Sequence, residues 1–587
     1  MAASYPDPRS LNPQEIRLLE IYPSTIAHDD LECRLFRITL DSTHAHPYEA
    51  LSYTWGDQVM RTDIVCNDQR VSITSNLSVA LKKLRLQHKS RFIWADGICI
   101  NQDDSSDKNC QIPLMGKIYS IADRVVVWLG DYELCQSLQD VKTVGLIAEG
   151  FRMNSEEGGI HDISLKEYSK MVVPNEYTGG VTQEFLKHLY ARGWFSRVWC
   201  IQEIALARDA VMLWGELELS WVDVGQIATW LSQIQPVRAL EFDESAFYAD
   251  IDNENADRMY QIQRKRQGLL ETLDDCRSFQ ATDPRDKVYG ILALVEPIEE
   301  ASDLCVDYNK DVGEVYADVV IAILRRHSDL NILAYIDHGS EYRSDGSFTS
   351  WSPQWNNTNA GLRYFPASGS PLSACRSTHL KSVDTSDVNS QYLRLNGSIY
   401  SSVTTVQAQM GMDAMKNHCK HPFYNILTAV LGHQSDDDYT IRRTLARTLT
   451  AGCNSEMDDI ITASEEKKRL FYVSFELFIY CMDEGLNFLE LRKSVLTGES
   501  FYDEAEIVCL ERRFFQLSNG KFGIGPACMR VGDVVVVLFG GDAPYVLRPC
   551  GRSYLLMGQA YVDELMNGEL MDELDAGRVQ ERQFVLV

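Results

Sequence analysis

The sequence predicts an α/β protein: a parallel-sheet unit first, then a mainly helical region, then a small β-rich module. Three observations carry this. Between Tyr48 and Gly130 short apolar runs alternate with segments of helical period, and such alternation implies right-handed parallel crossovers with helices covering the sheet. The run Val125–Gly130 is apolar on both faces, as a central parallel strand is. From residue 506 onward short β-prone runs alternate with Gly, Asp and Pro turns, the pattern of a small barrel or sandwich.

Residues 1–47 read as an N-terminal β adaptor segment, in which Ile16–Tyr22 and Glu32–Leu40 are β-prone runs joined through Pro23. Tyr48–Tyr53 is a buried strand ending in the turn Thr54-Trp55-Gly56-Asp57. Arg61–Ile73 forms a hairpin turning at Asn67-Asp68. Leu77, Leu81 and Leu84 recur at helical spacing, with Ser75 or Asn76 available as N-cap. Phe92–Ala95 is the next strand. Ile112, Met115, Tyr119 and Ala122 mark a second amphipathic helix, which tolerates Pro113 only in its first turn.

After the strand Val125–Gly130 comes a long mixed connection, Asp131–Thr182. Residues 185–215 return to helix, with Trp194, Val198, Ile201 and Ala205 on one face. The α/β unit therefore spans 48–215. Residues 216–330 form a helical extension that contains a solvated acidic connection at Glu241–Asp257. Residues 331–505 are a mixed α/β region with a surface break at Ser435–Tyr439. Residues 506–587 are a β-barrel-like module, in which Gly520, Gly523 and Gly525 read as strand turns.

Composition bounds the function. The chain has 587 residues, room for three or four structural units at ~150 residues each. Lys and Arg total 56 against 84 for Asp and Glu, a formal net charge of −28, which argues against bulk electrostatic binding to nucleic acid or an anionic membrane. The opening MAASYPDPRSLNPQE has neither a basic nor an apolar leader region. No apolar run approaches the ~18 residues of a membrane span; Val534–Phe539 is among the longest. Fifteen cysteines are scattered singly, as reduced thiols of a cytoplasmic chain would be. The group His418-Cys419-Lys420-His421 lacks a spaced second pair, so no metal is expected. No phosphate-binding P-loop, G-x-S-x-G or H-E-x-x-H occurs.

Three proposed strands end in small or acidic turns: Trp55-Gly56-Asp57, Asp96-Gly97 and Gly130-Asp131. Ligands of open parallel sheets bind at the carboxyl ends of strands, so these turns share one rim. Asp96 is the best placed carboxylate there, either facing a ligand or capping the next segment. Asn101 and Gln102 could contact a nucleotide or satisfy local backbone groups. Cys99 has no histidine nearby and reads as an inert thiol. Trp199 and Glu203 are i,i+4 neighbours on one helix face. An aromatic wall raises a carboxylate's pKa toward acid/base use, although spacing alone fits an ordinary helical glutamate.

Tyr48–Asp57, Trp94–Gln102 and Arg197–Glu203 resemble, in order, the three motifs of the HET domain, the fungal heterokaryon-incompatibility family. Asp283-Pro284-Arg285-Asp286-Lys287-Val288-Tyr289 and the stretch Gly532–Glu569 resemble later parts of long HET proteins. The resemblance implies an intracellular fungal protein of allorecognition whose activity triggers programmed cell death. It also implies a distant likeness to TIR domains, which makes the expected sheet TIR-like or flavodoxin-like. Ser52-Tyr53 resembles the strand-end Ser-Phe/Tyr of TIR domains, and Trp199-Cys200-x-x-Glu203 their W-C-x-x-E segment, whose glutamate is catalytic in TIR NAD hydrolases.

By that resemblance Glu203 is the catalytic carboxylate. Ser52, Tyr53, Trp55, Asp96, Asn101 and Trp199 then line a nucleotide site, with NAD as substrate and no cofactor. The alternative is a non-enzymatic signalling module that engages protein partners or self-assembles through the HET domain, with Glu203 paired to Arg197 or Arg192.

Overall fold

The computed structural model describes residues 5–7, 9–26, 30–40, 46–131, 145, 180–240, 251–327, 329–342, 346, 348–357, 373–375, 391–411, 421–432, 439–453, 460–483 and 501–587. The chain divides into two compact units, Met1–Lys310 and Asp311–Val587.

The first unit is built on a mixed sheet of strands β1 (Glu15–Ile21), β2 (Glu32–Thr39), β3 (Glu49–Tyr53), β4 (Arg61–Cys66), β5 (Gln69–Thr74), β6 (Arg91–Trp94), β7 (Arg124–Trp128), β8 (Ala210–Trp214) and β9 (Leu217–Ser220). Their spatial order is β5-β4-β2-β1-β6-β3-β7-β8-β9. The centre β6-β3-β7-β8 is parallel. The strands expected at Tyr48–Tyr53, Phe92–Ala95 and Val125–Gly130 form three of its four members. β7 is buried along Val125–Trp128, which is why its sequence is apolar on both faces.

The sheet is not wholly parallel, because antiparallel pairs extend it on both sides. β1 and β2, from the first 47 residues, pair with each other, and β1 pairs with β6. On the other side β8 pairs with β9. The hairpin β4–β5 turns at Asn67 and Asp68, both with positive φ (50° and 61°), the requirement of a tight type I′ turn.

Helices pack on this sheet. Ser75–Leu84 is capped by Thr74, whose side chain accepts from Leu77 N, not by Ser75 or Asn76. Pro113 lies in a short 3-10 turn, Ile112–Leu114, that leads into the helix Met115–Ile121. The region 185–215 is not one helix. It divides into Gly180–Tyr190, a 3-10 turn Gly193–Ser196, the helix Val198–Ala205, and strand β8. Arg197 is extended (φ −90°, ψ 131°) and breaks the helical run. The apolar run of β8 packs as sheet, with Val211, Met212 and Trp214 buried. Further helices are Trp221–Leu240, Glu254–Arg264, Leu269–Asp275 and Asp286–Tyr289. Of the acidic stretch Glu241–Asp257, residues 241–250 lie outside the described residues. Its end is structured: Asn253 is fully buried and donates to Ala228 O at 2.8 Å. The connection Asp131–Thr182 lies almost wholly outside the described residues.

The second unit opens with the helix Val312–Arg326, started by a reciprocal Asp311/Glu314 capping box. Helices Pro422–Leu431, Tyr439–Leu449, Glu465–Asp483 and Phe501–Cys509 follow. Its strands are β10 (Leu393–Val406), β11 (Arg512–Leu517), β12 (Phe522–Pro526), β13 (Val534–Leu538), β14 (Tyr545–Cys550), β15 (Ser553–Gln559) and β16 (Arg582–Leu586). Pairing runs β10-β13-β14-β15-β16 and returns to β10, a closed barrel that takes one strand from the region before residue 506. Gly520 sits in a turn with φ +82°, but Gly523 and Gly525 lie inside β12. A Cβ on Gly523 would come within 2.3 Å of Tyr561 O, so the glycine permits a close backbone approach.

Of the group His418–His421 only His421 is described; it is buried and accepts from Phe423 N at a helix start. Among the described residues no cluster of metal-binding side chains occurs, and no helix is long and apolar enough to cross a membrane.

Candidate active site

The site assembles at the carboxyl end of β3. Ser52, the penultimate residue of that strand, is fully buried, and Glu203 on the helix Val198–Ala205 keeps 4% of its surface. Ser52 Oγ donates to Glu203 Oε2 at 2.5 Å, and Trp194 Nε1 donates to Ser52 Oγ at 2.7 Å. The Tyr119 hydroxyl also faces Glu203 while donating to Leu51 O at 3.2 Å. Arg197 donates to Tyr53 O at 2.7 Å, which places a guanidinium where β3 ends.

The neighbouring turn completes the cluster. Trp55 Nε1 donates to Asp96 Oδ2 at 2.8 Å, so the first two of the predicted strand-end turns do meet. The Tyr53 hydroxyl faces the Asp96 carboxyl. It also lies so close to Gly97 that a Cβ there would meet it at 2.4 Å. Gly97 is thus the residue that lets Tyr53 enter.

The electrostatics follow from burial. Desolvation and the nearby Asp96 charge push Glu203 up to about 7, against the pull of Ser52, Arg197 and Tyr119 toward the ionised form. Asp96 is raised as well, chiefly by burial, with Arg197, Trp55 and Tyr53 opposing. Two carboxyl groups share one desolvated cluster with one guanidinium, an arrangement that shifts pKa values at reactive sites. A carboxyl group near neutrality can hold or release a proton at physiological pH.

Other predicted residues lie elsewhere. Trp199 is turned to the Asp286 carboxyl, whose charged form it stabilises. Asn101 belongs to a local turn: its N–H donates to Asp107 Oδ2 at 2.8 Å and its Oδ1 accepts from Asp103 N. Gln102 donates to Asp96 O at 2.9 Å. Cys99 is fully buried, and burial pushes its thiol up to about 12. Arg192 stacks over the Trp214 ring at 4.7 Å. Trp194 and Tyr119 were missing from the predicted set; each looked like one apolar residue on a helical face.

Residues 48–203 match the family described as heterokaryon incompatibility protein (HET). That stretch runs from Tyr48, just before β3, to Glu203 itself. The chain is a HET-domain protein. Residues 475–587 match the Het-6 beta-barrel domain, and the structure adds β10 to that barrel from upstream. Over an alignment of 653 positions the chain is 26% identical to heterokaryon incompatibility protein 6, OR allele, of Neurospora crassa, covering 95% of this chain and 94% of that one. No solved structure matches. In this HET-domain protein the sheet is completed by β1, β2, β8 and β9, all outside the matched span.

Proposed function

We propose that this is a protein of fungal non-self recognition whose HET domain is a TIR-like module hydrolysing NAD to nicotinamide and ADP-ribose, with Glu203 as the key carboxylate. The observation that carries the reading is the Ser52–Glu203 bond at the end of β3. It joins the strand-end serine and the helical glutamate that the TIR likeness singles out. The parallel strands, numbered by sequence, lie in the order second, first, third, fourth. That order supports a flavodoxin-like arrangement with its ligand crevice beside the first strand.

The chemistry suits one carboxylate. Ordinary glycoside cleavage needs an acid for a poor leaving group and a second carboxylate. In NAD the bound nicotinamide ring already carries formal positive charge and departs neutral, taking the C–N electron pair, so no acid is needed. Glu203 would stabilise the oxocarbenium-like ribose from a preorganised, desolvated position. Ser52 and Arg197 favour its ionised form. Tyr53, Trp55 and Asp96 would border the nucleotide.

One observation favours the non-enzymatic reading, a signalling module engaging partner proteins: Ser52 and Glu203 are covered by protein, at 0% and 4% exposure. In the enzymatic reading this is a closed resting state that opens on assembly. Nicotinamide release from NAD by the purified chain, with and without crowding agent, decides between them. Release by wild type that is abolished in Glu203→Ala supports the hydrolase; absence of release under every assembly condition leaves the signalling module.

A further inference from the structure

The HET match stops at Glu203, yet the helix that carries Glu203 is held at both ends by residues far downstream. At its start, Val198 N donates to Gln280 O at 3.0 Å, and Gln280 N donates to Ser196 O at 2.5 Å. Gly290 lies against the Val198 side chain: a Cβ there would meet both Val198 methyl groups at 3.4 Å. One residue on, the Trp199 indole faces Asp286. Asp286 is held in turn by the Tyr308 hydroxyl at 2.7 Å.

At the other end, Gln263 donates to Ile204 O at 3.2 Å, and the Arg266 guanidinium donates to Ala205 O. Both carbonyls lie in the last turn of the helix, where a cation is favoured; Ile204 O also accepts from Ala207 N at 3.2 Å. Trp221 Nε1 fixes Gln263 at 2.7 Å.

The segment Asp283–Tyr289 has the contacts of a rigid seat. Arg285 grips Asp283 through two nitrogens, donates to Tyr308 O and Lys310 O at 2.7 Å each, and stacks over the Tyr308 ring. Lys287 is buried, and its ammonium donates to Arg277 O and Phe279 O. Tyr289 donates to Asp307 O at 3.0 Å. Every polar side chain of this motif is thus spent on fixing residues 277–310 or, through Asp286, on the Glu203 helix.

We propose that residues 263–310 form a two-ended clamp that sets the position of the Glu203 helix, with Asp286, acting through Trp199, as its positioning residue. The working HET unit then reaches Lys310 and is not contained in residues 48–203. The inference deepens the hydrolase reading and rests on Glu203 as the residue whose placement matters.

The test uses the full chain and two variants, Asp286→Asn and Tyr308→Phe, so that a folding failure of one leaves the other. Amide hydrogen exchange is followed in residues 199–205 and, as internal reference, in β7. Loss of one charge-assisted buried hydrogen bond should speed exchange in 199–205 about tenfold and leave β7 unchanged. The infrared carboxylate titration of Glu203, isolated by subtracting Glu203→Gln, should shift in both variants. Where nicotinamide is released, kcat should fall with KM unchanged. Wild-type exchange in 199–205, or loosening of β7 to the same degree, overturns the clamp. A wild-type chain that releases no nicotinamide overturns the hydrolase reading, while exchange and titration still decide the clamp.

Discussion

Ser52 and Glu203, separated by 151 positions in sequence, meet through a 2.5 Å hydrogen bond at the end of β3. The serine is both acceptor from Trp194 and donor to the carboxylate, so it couples a tryptophan of the 3-10 turn to the glutamate. Replacing it with alanine leaves the indole N–H and one carboxylate oxygen without this partner. Ser52→Ala should therefore cost about 1–3 kcal/mol, the range for orphaned buried polar groups, measured as a drop in urea midpoint. It should also raise the Glu203 titration further, because the lost bond favoured the charged form.

Glu203 makes the first unit sensitive to pH. Its carboxyl sits at about 7 in the fold against an ordinary 4.5. Between those values the folded chain keeps a proton that the unfolded chain has lost. Stability contributed by this group is therefore full below pH ~4.5 and declines as pH rises toward ~7, by on the order of 3 kcal/mol. Urea midpoints at pH 5 and pH 8 should differ more for wild type than for Glu203→Gln, which has no proton to lose. Equal differences in the two proteins would contradict the assignment.

Asp96 is a principal cause of that shift, second to burial. Asp96→Asn removes a like charge from the cluster while keeping an acceptor for Trp55. The Glu203 midpoint should then move toward acid, visible as an acid shift in its carbonyl-stretch titration. An alkaline shift would mean that the Asp96 charge is not felt at Glu203.

A second buried network ties the N-terminal strand to the central motif. Arg17, 1% exposed, donates to both oxygens of Asp107 at 2.9–3.1 Å and to Cys99 O at 3.3 Å. Asp107 also accepts from Asn101 N. Asp7 also lies 3.4 Å from Arg17 Nε, so the guanidinium keeps one carboxylate neighbour, and Asp107→Ala should destabilise the unit by about 1–3 kcal/mol through the lost charge-assisted hydrogen bonds. The apolar double variant Arg17→Met/Asp107→Leu should recover part of this in the same denaturation assay.

What could be read from sequence followed from local rules. Val125–Gly130 was legible because a strand buried on both faces must be continuously apolar, and the Asn67-Asp68 turn because only certain residues accept positive φ. The HET motifs marked Ser52, Asp96 and Glu203. Partnerships between distant elements were not legible. Nothing near Trp194 in sequence indicates that it serves Ser52, and the Gln263 and Arg266 contacts with the Glu203 helix close only after the intervening chain has folded. Trp199 shows the limit of helical spacing: i,i+4 placed it beside Glu203, but a tryptophan at the helix start turned to Asp286. The run at β8 read as helix because a short apolar segment carries no period of its own.

β16 supplies a consequence in time. β10 reaches full pairing only when Arg582–Leu586 has been made, since Leu393–Gly397 aligns with Leu586–Arg582. At ribosomal speeds of ~5–20 residues per second, residues 311–587 take roughly 15–55 s to emerge after the first unit is complete. During that interval a finished HET sheet is tethered to a growing barrel, in which β10, once made, waits for β13 and last of all for β16. The edge of β10 is then available to chaperones, to aggregation or to a strand from another nascent chain.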